Sequence, residues 1–206
     1  MEFCLNFEDG SGYSFVSLFA EVIEEIRRNY PIYRFVMERD IVWEVQKLLA
    51  GKIKQQGLPY NVFNDYPIEK GRNRSLSVDL AVISKDITCH RDIADGKAEA
   101  ELVVEFKFEP SHKREDIISH KLPVISSRKN KEEISINIDI NRIKSFVDTG
   151  KSRTAIAILI DEGGWHRNSK NSHRLGDPCI SKWYDWDVCI TDYDKVSILL
   201  TTYPVP

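Results

Sequence analysis

The run "RTAIAILIDEG", residues 153–163, limits the fold more than any other stretch. Every residue from Ala155 to Ile160 is apolar. Strand side chains point alternately to opposite faces, so a strand that is apolar at successive positions must be covered on both. That places it in the middle of a sheet, with further layers above and below. A chain of 206 residues, 42% of them hydrophobic, can supply such layers within one domain.

The other segments provide the neighbours and the cover. Residues 13–29 carry Phe15, Leu18, Phe19, Val22, Ile23 and Ile26 at helical spacing, with Asp9, Gly10 and Ser11 before them as a turn or cap and Pro31 just after. Residues 38–55 predict a second helix, with Ile41, Val42, Val45, Leu48, Leu49 and Ile53 in one stripe and Glu44 beside it. Residues 61–68 predict a short strand whose Pro67 suits an edge. In the strand 75–84, Leu76, Val78, Leu80 and Val82 share one face, and Ser77, Asp79 and Ala81 the other. A long polar connection over 84–99 leads to a third strand, 100–108. "SHKREDIISHKL" reads as a short helix, "SSRKNKEE" as a charged loop, and 136–150 as a helix ending at Gly150. "KWYDWDVCI" and "KVSILLTTY" close the chain as strands. The order predicts an α/β fold: a single domain, 1–206, with a central mixed β-sheet flanked by helices.

Several classes are set aside by composition. No run reaches the apolar length of a membrane span, and the acidic start "MEFCLNFEDG" lacks the apolar core of a secretory signal. The expectation is a cytoplasmic protein with no membrane partner. Cys4, Cys89, Cys179 and Cys189 are scattered, which fits free thiols better than a disulfide framework or a structural zinc site. A net charge of −3 excludes a globally basic coat for nucleic acid, though not a local basic patch.

The strand "AELVVEFKFEP", residues 100–110, carries the chemistry. Its even positions, Leu102, Val104, Phe106 and Phe108, are a packing face. Its odd positions place Glu105 and Lys107 side by side, with Glu101 and Glu109 on the same face. In a domain of three layers this odd face is covered too, and buried carboxylates beside a lysine then need an explanation. Asp79 lies on the less apolar face of the preceding strand. If the two strands pair, two carboxylates and an ammonium converge, and Asp79, Glu105 and the Phe106 carbonyl form a hard-oxygen set suited to Mg²⁺ or Mn²⁺. Asp65, Asp86 and Asp92 are rival carboxylates if the register differs.

Asp79 followed by Glu105-x-Lys107 resembles the PD-(D/E)-x-K signature of the restriction-endonuclease-like nucleases, with Val78 where the signature has its proline. The helix segment "DIVWEVQKLL" before the strands, and "INRIKSFVDTG" followed by "TAIAILIDEG" after them, are similar to the surrounding elements of that fold. The resemblance covers about residues 38–162. It implies a restriction-endonuclease-like fold and a metal-dependent endonuclease that hydrolyses phosphodiester bonds, in DNA for preference. It implies Asp79, Glu105, the Phe106 carbonyl and Glu44 around Mg²⁺ or Mn²⁺, with Lys107 acting on the attacking water and the transition state. A catalytically inactive member of the same fold, binding nucleic acid or a protein, is the alternative. A scaffold protein whose first helix pairs with a partner is a third reading.

Arg72 and Arg74 before the Asp79 strand, and Lys113 and Arg114 after the Lys107 strand, are the expected phosphate contacts. The loop "WHRNSKNSHR" reads as solvated, although its His166 and His173 are a candidate metal pair. Trp183, Tyr184 and Trp186 read as core in preference to base-stacking residues. Phe15, Leu18 and Phe19 read as core or as a homodimer surface.

Overall fold

A computed structural model describes residues 14–71, 75–89, 91–115, 121–122, 135–169, 172–191 and 194–204. The expected cap at Asp9–Ser11, the phosphate contacts Arg72 and Arg74, and most of the segment "EDIISHKLPVISSRKNKEE" lie outside them.

Two helices come first. Helix α1, Phe15–Tyr33, turns Val16, Phe19, Val22, Ile23, Ile26 and Tyr30 inward. It runs through Pro31, where a stop was expected. A proline in the last turn forfeits little of the helical ladder, and the chain leaves the helix only at Arg34, whose φ is 49°. Helix α2, Glu38–Gln55, matches its expected span. Asp40 reaches back to accept the N–H groups of Val36 at 2.9 Å and Met37 at 3.0 Å, which satisfies donors at the helix start. Glu38 and Asp40 in the first turn and Lys52 and Lys54 in the last oppose the helix dipole.

The strands follow as β1, Tyr60–Glu69; β2, Leu76–Ser84; β3, Ala100–Glu109; β4, Ser152–Glu162; β5, Ser181–Thr191; and β6, Asp194–Tyr203. They form one six-stranded mixed sheet in the order β1-β2-β3-β4-β6-β5. The pair β3–β4 is parallel and the other neighbouring pairs are antiparallel. β1, which carries Pro67, is an edge strand, and β4 is interior, as their compositions require. The polar connection before β3 contains one helical turn, α3 (Arg91–Ala94), pinned by the buried Ile93. Helix α4, Ser135–Asp148, precedes β4 and closes through Gly150, at φ +67°, with the Lys151 N–H bonded to the Phe146 carbonyl at 2.7 Å.

Apolar side chains form two cores, one on each face of the sheet. α1 and α2 cover Leu80, Val82, Leu102, Val104, Phe106, Ile156 and Ile158. α3 and α4 cover Ala81, Ile83, Val103, Ala155, Ala157 and Leu159. Each large side chain so buried contributes about 1.5–3 kcal/mol. Leu18 and Phe19 belong to the first core, and the partly buried Phe15 packs against it with its ring 4.7 Å from that of Tyr60. Trp186, 1% exposed, packs edge-on to Tyr30, which makes it core. Among the described residues no helix is long and apolar enough to cross a membrane.

One expectation about β2 fails in a way that matters. Val78 packs into the second core and Leu80 into the first, although two residues apart should share a face. On β1 the same switch separates Val62 from Tyr66. Asp65 stands between them with φ 48°, a left-handed conformation that costs a non-glycine residue energy. The register Asn64↔Leu80 and Tyr66↔Val78 puts Asp65 opposite Asp79. The pleat therefore changes sides at the aspartate that sequence reasoning had singled out.

Candidate functional site

β2 and β3 pair antiparallel through Leu80↔Val104, Ala81↔Val103 and Val82↔Leu102. The polar connection between them does not prevent this pairing. Continuing the register sets Asp79 opposite Glu105. Asp79 Oδ2 accepts the Phe106 N–H at 2.7 Å, which holds the aspartate against the backbone between Glu105 and Lys107. The three residues of the sequence motif are therefore adjacent.

Two more elements close on them. From α4, Asp139 Oδ2 lies 3.1 Å from Lys107 Nζ, and the Arg142 guanidinium ion-pairs with Glu105 and lies 3.6 Å from Asp139 Oδ1. From the first turn of α2, Glu38 Oε2 lies 3.6 Å from Lys107 Nζ. Lys107 also donates to the Phe106 carbonyl at 2.9 Å. Glu105 is 1% exposed, and neither of its oxygens has a donor at hydrogen-bonding angles. Four carboxylates, those of Asp79, Glu105, Glu38 and Asp139, thus face two cations, Lys107 and Arg142.

This excess of negative charge appears in the acidities. Burial, reinforced by Asp79, pushes the Glu105 carboxyl well above its usual range, and Arg142 opposes the shift only in part. Burial raises Glu38 to about 7, with Asp79 and Asp139 adding to the effect and Lys107 working against it. Asp139 is raised by burial. Burial alone would lower the Lys107 ammonium, but Asp139, Glu38 and Asp79 outweigh it and hold the group above its ordinary value. Perturbation of this kind, at groups gathered around a strand irregularity, is typical of a working site.

Asp79 and Glu38 open onto a cleft of about 190 Å³ lined also by Arg39, Val42, Trp43, Asn64 and Asp65. Trp43 is 55% exposed there. The rival carboxylate Asp65 is on the cleft wall, while Asp86 and Asp92 belong to the connection beyond β2. The donors are hard oxygens with uncompensated charge, which suits a divalent cation such as Mg²⁺, and Mg²⁺ needs only one or two protein carboxylates beside its waters. Among the described residues, no three His, Cys, Asp or Glu side chains already surround one point as a metal cage.

Two expected site residues are placed elsewhere. Glu44 bonds Lys47 at 2.6 Å. It lies six residues beyond Glu38, about 120° around the helix from it. The helix glutamate beside Lys107 is Glu38, which sequence reasoning missed because period alone does not say which turn of a helix meets the sheet. Arg114 is 6% exposed and is held by Glu162 at 3.1 Å and by the Phe35 carbonyl, so it is no phosphate contact. Lys113 is exposed. His166 meets Glu109 at 3.5 Å and is half-buried, while His173 sits in a separate 3-10 turn, Ser172–Arg174. Asp139 and Arg142 were also missed. They stand three residues apart on α4, and that one-turn spacing toward the sheet is the signal that would have found them.

No family model, no curated protein and no solved structure matches this chain.

Proposed function

We propose that the chain is a divalent-metal-dependent nuclease of the restriction-endonuclease-like class, hydrolysing phosphodiester bonds in nucleic acid, with DNA as the first substrate. The observation that carries this reading is the hydrogen bond of 2.7 Å from the Phe106 N–H to Asp79, which seats the aspartate beside the Glu105–Lys107 pair. The order of elements supports it: a helix bearing Glu38, three antiparallel strands, then a helix and a parallel strand.

Asp79, Glu105 and the Phe106 carbonyl would hold Mg²⁺ or Mn²⁺, with Glu38 beside them, and the ion would supply Lewis-acid stabilisation of phosphate charge and a more acidic bound water. Lys107 presents an ammonium that stays charged at neutral pH and places it where negative charge grows on the phosphate. Asp139 positions Lys107 from behind. Glu38, with a carboxyl that titrates near 7, can accept or return a proton under ordinary conditions. The cleft at Asp79 and Glu38 gives the scissile group its approach.

Purified protein incubated with supercoiled plasmid and with single-stranded DNA, in Mg²⁺ or Mn²⁺, tests the reading. Cleavage is expected, to be abolished by a chelator and reduced at least about hundredfold by Asp79→Ala or Lys107→Ala. Variants that cleave as fast as the parent would overturn it. The alternative, a catalytically inactive member of the class that binds nucleic acid or a protein, draws support from the Arg142 guanidinium resting on Glu105. It requires DNA or protein binding without cleavage at millimolar Mg²⁺ and Mn²⁺.

A further inference from the structure

Arg142 has no task in the chemistry above, yet it meets two carboxylates of the site. Its guanidinium pairs with Glu105 and approaches Asp139. Glu105 is 1% exposed and faces Asp79, and Arg142 is the cation paired with it among the described residues. The guanidinium rests on Glu105 Oε2, so a divalent ion brought to that carboxylate meets a like charge already seated there. Arg142 itself is 31% exposed at its side chain, so it has a way out toward solvent that Glu105 lacks.

We infer that Arg142 is a stand-in cation: it holds Glu105 in the cation-free site, is displaced when a divalent metal binds, and then turns its guanidinium to the substrate phosphate. The inference rests on the metal-dependent reading and adds to it a competitor for the metal and a further phosphate-binding residue. Arginine suits both states. It is always charged, and its planar fork matches carboxylate and phosphate alike. By linkage, whatever free energy the Arg142–Glu105 pair contributes to the cation-free protein is subtracted from metal affinity. The site therefore keeps Glu105 paired at rest and binds metal more weakly than its carboxylates alone would.

Calorimetric titration with Mn²⁺, in the absence of nucleic acid, tests this on the parent, Arg142→Gln, Arg142→Lys and Lys107→Gln. Arg142→Gln is expected to bind Mn²⁺ at least roughly tenfold tighter than the parent. Arg142→Lys should fall between them, since an ammonium keeps the charge but loses the fork. Lys107→Gln removes the same unit of charge from the cluster, but Lys107 pairs with Asp139, Glu38 and the Phe106 carbonyl, so its effect should be smaller. An equal gain in Lys107→Gln would mean a general field effect and overturn the competition. Mn²⁺ binding by the parent that neither Arg142 variant tightens overturns this inference alone. No Mn²⁺ binding by any of the proteins overturns it together with the metal-dependent reading. A thermal unfolding scan without metal confirms that each variant is folded, and if Arg142→Gln is not, the tightening expected of Arg142→Lys decides the matter.

Discussion

Two buried carboxylates in this fold each face an arginine, and their surroundings differ sharply. Glu162, 0% exposed at the end of β4, accepts the Tyr30 hydroxyl at 2.8 Å, the Ser111 N–H at 2.8 Å and Arg114 Nη1 at 3.1 Å. Glu105, on the neighbouring strand and 1% exposed, has the Arg142 ion pair and no donor at good angles. Both burials cost solvation energy. At Glu162 that cost is met by hydrogen bonds from α1, from the segment after β3 and from an arginine also tied to the Phe35 carbonyl, so the charge acts as a clasp. At Glu105 the cost is left partly open, with three more carboxylates nearby. Around Glu162 the buried Arg114 Nε lacks a hydrogen bond, whereas around Glu105 both of its own oxygens, Asp139 Oδ2 and Arg142 Nε lack one. An incomplete network beside a cleft is where an outside cation has most to contribute.

The sharpest way to break this contrast is to remove each arginine. Arg114→Ala strands Glu162 in a site with no route to water and should cost about 3–5 kcal/mol of stability in urea unfolding. Arg142→Ala should cost markedly less, because Glu105, already raised well above its usual range, can take up a proton and become neutral. Equal losses would mean that both pairs are structural, and the case for an open site at Glu105 would fall. Next in size is a contrast of two glutamates on one helix. Glu38→Ala should slow DNA cleavage by about hundredfold, on the scale of a lost acid–base group. Glu44→Ala removes contacts to the exposed Lys47 and to Tyr33, away from Lys107, and should leave the rate unchanged. A loss at Glu44 with none at Glu38 would move the site to the other side of α2.

Why sequence reading found one part of this site and missed another follows from the elements involved. In β3 the period of two settles which residues share a face, so the sequence alone puts Glu105 and Lys107 together. Asp79 followed because an antiparallel neighbour brings like faces into line. The helices gave less. A helix stripe shows which side is buried, and α2 buries Ile41, Val45 and Leu49 as expected. It does not show which end of that stripe lies over Lys107, so sequence reading favours Glu44 over Glu38 at the first turn. Arg114 misled for another reason: an arginine after a strand looks solvated unless its distant partner, 48 residues on, is known. The turn at Asp65 and Asp79 was invisible, since alternation over Leu76, Val78, Leu80 and Val82 reads as one uninterrupted face. The candidate site and the irregular backbone coincide at that point.

The smallest expected effect concerns the pH dependence of the open site itself. Glu38 holds its proton up to about pH 7 in the folded chain, against a usual carboxyl value of 4.5. Across that window the folded state binds more protons than the unfolded one, so the contribution of Glu38 to stability declines as pH rises. Glu38→Gln carries no titrating proton and escapes the decline. Thermal unfolding of parent and variant should therefore nearly coincide below pH 4.5 and separate with rising pH, the variant becoming the more stable above about pH 7. The gap should stay small. The Glu38 side chain is 36% exposed, so solvent screens part of the effect, and the variant also gives up the attraction to Lys107. Parallel profiles across the whole range would show that the crowding of Asp79, Asp139 and Glu38 around Lys107 is electrostatically slack. The contrast with the well-bonded Glu162 carboxylate would then rest on hydrogen-bond geometry alone.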